Sequence, residues 1–334
     1  MKMKKSTGIL LLIVGLLFLA ASSGPAAAES AYRMKVASVG SETHPSSLAL
    51  AEVKKFIEEK SGKKIEVSLY LNSALGADRQ ITEGMQLGTI ECGVIGTTNL
   101  ANFEPKFNVF DLPFLFKDQK AAYKSIDGSI GKTLDESLRK QGLRIIAWGV
   151  NGYRHITNNR GPITKPDDLK GLKIRCMENP VHVATFKRMG ANPTPMSFSE
   201  LYTALAQKTV DAQENPINLV YSSKFYEVQK FYSLTGHLYA VVPLVVSDRW
   251  FQGLPKDMQA VVLDGGKLYQ KRERAINEKQ EKGMLEEMKK KGLQVNVLTA
   301  DQKKAFVTAT LPIYDQFKDR IGADMVELAK KANQ

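Results

Sequence analysis

Short runs of β-branched and apolar residues alternate with helical patterns from residue 32 onward, and this alternation constrains the fold more than any other feature. Tyr32 to Val39 reads as a strand. A helix follows from about Ser46 to Lys60, with a buried stripe of Leu48, Ala51, Val53, Phe56 and Ile57 and Gly62 as its C-cap. Strand Lys64 to Leu71, helix Ala77 to Leu87 and strand Ile90 to Ile95 repeat the unit. Strand, helix, strand at this spacing predicts βαβ units in a largely parallel sheet, so the fold class is α/β. Such sheets bind ligands at the carboxyl ends of their strands, which puts Gly96, Thr97, Thr98 and Asn99 at a candidate site edge.

Before residue 29 the chain has a different character. Lys2, Lys4 and Lys5 precede an apolar stretch from Ile9 to Ala20, then Ala26-Ala27-Ala28, the order of a cleaved secretory signal peptide. The stretch stops in Ser22, Ser23, Gly24 and Pro25, short of the roughly 20 apolar residues that a membrane span requires. The mature chain is expected to begin at Glu29 and to be periplasmic. Loss of the three lysines lowers the formal charge from +12 to +9, on a length that suits two domains. A basic balance fits an anionic ligand, although charges of both signs spread along the chain also serve solubility. No clustered basic face or aromatic platform points to nucleic acid. Cys92 and Cys176 each sit in an apolar strand-like run of a different half, so two unpaired, buried thiols are expected.

The second half continues the pattern. A helix near Ser129 to Gln141 leads to the apolar run Leu143 to Val150, and Thr157 to Gly171 reads as a surface loop. In the strand Leu172-Lys173-Ile174-Arg175, Lys173 and Arg175 share a face. Ser197-Phe198-Ser199-Glu200 reads as a capping box, and Pro255 introduces a long polar-faced helix to about Lys290. The signatures G-x-S-x-G, G-x-G-x-x-G, H-E-x-x-H and C-x-x-C are absent, and His44, His155, His182 and His237 lie far apart in sequence. Arg154 and Arg175 stand among apolar neighbours. A guanidinium fork matches a carboxylate with two parallel hydrogen bonds, but either arginine equally fits a structural ion pair. Asn215 before Pro216 equally reads as a helix N-cap, and His237 as a core histidine.

Several segments together resemble the substrate-binding proteins of tripartite ATP-independent periplasmic (TRAP) transporters of the dicarboxylate type. They are Leu75-Gly76-Ala77-Asp78-Arg79, Gly152-Tyr153-Arg154-His155, Pro166 to Arg175, Gly190 to Met196 with the helix start Ser197 to Leu205, Val210 to Pro216, and Phe225 to Lys230. The resemblance implies a two-lobed periplasmic binding protein fold with a ligand cleft between lobes and a long helix spanning both. Residues 29–151 with 241–280 would form one lobe, and 152–240 with 281–334 the other. It also implies that Arg175 grips a ligand carboxylate, that Arg154 supports it, and that Asn215 supplies a further donor. Phe198, His237 and Glu178 resemble pocket positions, where Glu178 is able to accept from substrate hydroxyls, and Asp78 and Thr97 are further candidate ligand-binding residues. Gly96 stands where sialic-acid binders resembling this chain carry an acid, so that large sugar acid is disfavoured. The implied partners are a small organic acid, either a C4-dicarboxylate or a sugar acid, and the membrane permease subunits. No cofactor is implied, and a monomer is expected. The alternatives are a periplasmic enzyme acting on an organic acid and a receptor feeding a signalling kinase.

Overall fold

The computed structural model describes residues 31–331, so the signal peptide read at residues 1–28 lies outside the described residues. The strands are β1 (Tyr32–Ser38), β2 (Ile65–Tyr70), β3 (Cys92–Val94), β4 (Leu143–Asn158), β5 (Lys173–Cys176), β6 (Asn192–Pro195), β7 (Ala212–Pro216), β8 (Phe231–Ser247) and β9 (Gln294–Val297). They join in one mixed sheet of order β2-β1-β3-β8-β4-β7-β5-β6, with β9 beside β8. Its two ends are parallel: β1 with β2 and β3, and β5 with β6 and β7. Between them run β4 and β8, antiparallel along almost their whole length. At 16 and 17 residues these strands reach about 50 Å, enough to pass from one parallel wing into the other. The sheet is thus parallel in its wings and antiparallel at its centre.

The long strands are irregular where they cross between wings. Register shifts fall at Ile145/Ala147, Val150/Gly152 and Arg154/Ile156. Gly152 takes φ +89°, a backbone that a residue without Cβ adopts at no steric cost. Lys256–Lys290 is a 35-residue helix, about 52 Å long. Its Met258, Val262 and Tyr269 pack with Met34, Val36, Leu50 and Ile65 of the first wing. Met284 and Met288 pack with Leu201, Val220 and Tyr232 of the second. Gly266 lets it press on β4, since a Cβ there would lie 2.3 Å from the Ile146 carbonyl oxygen. The helix therefore spans both wings. Among the described residues no helix is long and apolar enough to cross a membrane. Cys92 and Cys176 are both buried and unpaired.

Some local expectations differ from the structure. Helix Pro45–Lys60 buries Ala49, Leu50, Val53 and Ile57, while Leu48 is 37 % exposed, because the helix is covered by both the sheet and the long helix. Ser197 does not cap its helix; its hydroxyl lies 3.1 Å from that of Ser199. Thr157 and Asn158 belong to β4 rather than to a loop. The C-terminal helices Pro312–Ile321 and Ala323–Lys331 pack against elements of the first half. Their apolar faces, with Ile313, Phe317, Ile321 and Met325, share a core with Phe107, Phe110, Leu134 and Leu138 of the first half. The Tyr314 hydroxyl donates to the Pro113 carbonyl at 2.9 Å, tying the helix there.

Candidate ligand-binding site

A cavity of about 70 Å³ lies where the carboxyl ends of the parallel strands from both wings converge. Beyond β1 it is lined by Val39, Gly40 and His44, and beyond β3 by Gly96, Thr98 and Asn99. Beyond β5 come Met177 and Glu178, and beyond β6 Met196, Ser197 and Phe198. Helix Asp78–Leu87 contributes Asp78 and Arg79 from its start. The crossing strands contribute Asn151, Arg154 and Val241, so the site sits at the irregular centre of the sheet. This is the strand-end location that the βαβ pattern predicts.

The two arginines turn out to be different in kind. Arg154, 5 % exposed, faces the buried Glu214 in a fork: Nε donates to Oε2 at 2.5 Å and Nη2 to Oε1 at 2.7 Å. Its Nη2 also reaches the Glu214 carbonyl at 2.7 Å and Asn215 Oδ1 at 3.1 Å. Burial pushes the Glu214 carboxyl up, but the Arg154 guanidinium and the His237 hydrogen bond outweigh it and hold it well below the usual carboxylate range. For Arg154 the structural ion pair is therefore present. Arg175, 2 % exposed, has no such partner: Nε donates to the Met196 carbonyl at 2.9 Å and Nη1 has no hydrogen bond. Burial lowers its pKa to about 10, so it stays cationic at neutral pH. A buried guanidinium without a carboxylate is costly unless one arrives from outside.

The remaining predicted residues divide between lining and support. Asp78, 9 % exposed, lines the cavity, and its carboxyl accepts from the Gly96 backbone N–H. Burial raises its pKa to about 6, against that N–H and Arg175. Glu178 lines the cavity, and its carbonyl accepts from Asn102 Nδ2 at 3.1 Å. Phe198 lines it with its ring edge-on to Phe225, centroids 5.7 Å apart. Asn215 lines it too but lies in β7 rather than at a helix N-cap; Nδ2 donates to Gln213 Oε1 at 2.5 Å, leaving one amide hydrogen. Thr97 and His237 do not line the cavity. The Thr97 hydroxyl is turned away and donates to the Val241 carbonyl at 3.2 Å, since the chain after β3 coils at once into helix Thr97–Leu100. His237, 1 % exposed, lies behind the site, with Nδ1 2.7 Å from the Thr235 hydroxyl and Nε2 3.2 Å from Glu214 Oε2.

Behind the arginines lies a buried network that sequence reasoning missed. His182 Nδ1 stands 3.8 Å from Glu214 Oε1 and its Nε2 3.0 Å from Asp111 Oδ1. Asn179 Nδ2 donates to Asn108 Oδ1 at 2.8 Å. An acid in the middle of the buried strand Ala212–Pro216 was the available signal for Glu214. Met177, Met196, Asn151 and His44 are among the missed lining residues, and nothing local in the sequence marks them. Among the described residues no group of three or more His, Cys, Asp or Glu is placed to hold a metal ion.

Residues 36–320 match the family model of bacterial extracellular solute-binding proteins, family 7, DctP. The chain is 39 % identical over 291 residues to the 2,3-diketo-L-gulonate-binding periplasmic protein YiaO of Escherichia coli, covering 86 % of this chain and 88 % of the relative. It is similar to the sugar acid binding protein DctPAm of Advenella mimigardefordensis in complex with galactonate, with 35 % identity and a TM-score of 0.88 over 90 % of this chain and 98 % of the other. It is similar, too, to a TRAP periplasmic solute binding protein of Sulfurospirillum deleyianum with bound succinate, with 32 % identity and a TM-score of 0.88 over 91 % of this chain and all of the other. The strand-end cavity, its unpartnered buried arginine and these matches agree: the chain belongs to family 7 of the bacterial extracellular solute-binding proteins, the DctP family of TRAP solute-binding proteins.

Proposed function

We propose that the protein captures a small organic anion in the periplasm by its carboxylate and hands it to the membrane permease subunits of a TRAP transporter. Arg175 is the clamp. The observation that carries this reading is its Nη1, buried at the cavity with no hydrogen-bond partner, which a carboxylate oxygen would complete. Arg154, locked by Glu214, holds Asn215 in place beside it, and Phe198 forms a wall. Similar proteins are named for, or hold, carboxylic acids: diketogulonate, galactonate, succinate and D-erythronate. This favours a binding protein over an enzyme.

The two wings act as lobes that close on the ligand. One comprises residues 31–151 with 241–280 and the C-terminal residues 312–331; the other comprises 152–240 with 281–311. The hinge is the crossing of β4 and β8 around Gly152. Closure follows ligand because Arg175 gains its missing partner in the closed state, a differential interaction of the kind that shifts such an equilibrium. The protein is exported by a cleaved signal peptide and works as a monomer.

Thermal denaturation in the presence of galactonate, D-erythronate and succinate tests the reading, since a ligand that binds only the folded state raises Tm. At least one acid is expected to raise Tm, and the corresponding amide is not. An amide that stabilises as well as its acid, or no stabilisation by any acid, contradicts it.

A further inference from the structure

The charges that line the cavity discriminate between the two ligand classes that a carboxylate clamp alone admits. Three arginines line it among the described residues, and no lysine does. Arg154 is neutralised by the fork to Glu214. Arg79 points outward, its side chain 73 % exposed and its Nε 2.9 Å from Glu83 Oε1. Burial lowers the pKa of His44 to about 4, so that ring is neutral at pH 7. Arg175 is then the cation left for a ligand, and two carboxyl groups line the cavity with it, Asp78 from one wing and Glu178 from the other.

One carboxylate of a ligand therefore finds a cationic partner, and a second finds none. An ionised carboxylate offers only acceptors, and so do Asp78 and Glu178. A second ligand carboxylate near them meets like charge. A ligand hydroxyl, in contrast, carries a proton that either side chain can accept in a charge-assisted bond. The Asp78 carboxyl accepts from two backbone N–H groups, those of Gly96 and of Asp78 itself, and its remaining lone pairs are open to a hydroxyl.

We infer that the ligand is a monocarboxylate bearing several hydroxyl groups, with Asp78 and Glu178 accepting from those hydroxyls, and that C4-dicarboxylates are disfavoured. The inference rests on the reading that Arg175 holds a carboxylate. It extends to Asp78 the acceptor role that the resemblance implies for Glu178, and makes the pair the feature that turns a second carboxylate away.

Isothermal titration at pH 7.5 with D-erythronate, galactonate, succinate and butyrate tests it. Butyrate has the carboxylate alone, succinate adds a second, and erythronate has the same four carbons with hydroxyls. The expected order is a hydroxy acid at least about 10-fold tighter than both unhydroxylated acids, because a hydrogen bond to a charged group is worth that much or more. Asp78→Asn and Glu178→Gln keep the shape of each side chain, and the apo Tm reports that each variant folds. Each is expected to weaken the hydroxy acid about 10-fold and to strengthen succinate, narrowing the gap. Succinate binding as tightly as the hydroxy acids, or two folded variants that leave the preference unchanged, overturns the inference while the clamp stands. Absence of binding by all four acids overturns the clamp reading and the inference with it.

Discussion

The fork between Arg154 and Glu214 sets up a sharp stability experiment. Glu214 is fully buried, and its two oxygens take Nε and Nη2 of Arg154 at 2.5 and 2.7 Å. In Glu214→Gln one oxygen survives as an acceptor, while the new amide nitrogen confronts a guanidinium N–H or the His237 ring. Arg154 is then a buried cation with no counter-charge. Breaking one side of a buried pair costs about 3–5 kcal/mol. At roughly 2 °C per kcal/mol for a chain of this size, Tm falls by about 6–10 °C. The pH dependence fixes the cause. Glu214 has a lowered folded pKa, so its contribution is present above the ordinary carboxylate pKa of about 4.5 and fades as pH falls below it through the folded value. The Tm gap between wild type and variant is therefore full at pH 7 and shrinks in acid. Pairing Glu214→Gln with Arg154→Met in a double-mutant cycle isolates the coupling, and the double variant is expected to lose less than the sum of the singles. Differential scanning calorimetry of the four proteins at pH 7 and pH 4 provides the data. A Tm unchanged within about 2 °C, or strictly additive losses, refutes the argument.

Glu273 is buried on the long helix, where Oε2 accepts from the Val150 N–H at 3.0 Å and Oε1 has no partner. Burial raises its pKa to about 8, so the folded state holds a proton that the unfolded chain releases, and this group loses stability as pH rises from about 4.5 to 8. Glu273→Gln is expected to raise apo stability at pH 8 by on the order of 3 kcal/mol and to leave it nearly unchanged at pH 5; urea denaturation at both pH values checks this, and an equal effect at both contradicts it. Thiol titration of the denatured, unreduced protein should count two, because Cys92 and Cys176 are unpaired. Reducing agent should leave Tm unchanged, and a thiol count of zero refutes the burial of both as free thiols.

How far the sequence carried the fold depends on how local the determinants are. β1, β2 and their helices were legible because each repeats a two-residue or 3.6-residue period inside a few turns. β4 was read only to Val150, since the shifts at Val150/Gly152 and Arg154/Ile156 break the alternation and the polar residues Asn151, Tyr153 and Arg154 hide the continuing strand. Arg175 was legible as a guanidinium on a short apolar strand. That it lacks a carboxylate while Arg154 has one was not legible, because Glu214, His237 and His182 meet across a sheet whose pairing no local pattern states. The same limit explains Thr97 and His237: a strand end put the one near the site and the resemblance the other, and only the backbone path decided that one turns to Val241 and the other to Glu214. The C-terminal helices show their apolar stripes in sequence but not the core they cover.

The central claim is that Arg175 supplies the bonds that fix the ligand carboxylate, and titration of Arg175 variants with the tightest-binding acid measures it most directly. Removing one side of a buried, hydrogen-bonded charge pair costs about 2–5 kcal/mol, or about 30-fold to several-thousand-fold in affinity. Arg175→Ala is expected to weaken binding by that factor. Arg175→Lys should recover only part, keeping the charge and losing the planar fork. Because the guanidinium is buried with no carboxylate in hydrogen-bond contact and with Nη1 unpartnered in the free protein, the account also predicts that the apo Tm of Arg175→Ala holds or rises. Full-affinity binding by a folded Arg175→Ala protein, or an apo Tm that collapses while the surviving folded fraction binds normally, would contradict the account and return Arg175 to a structural role.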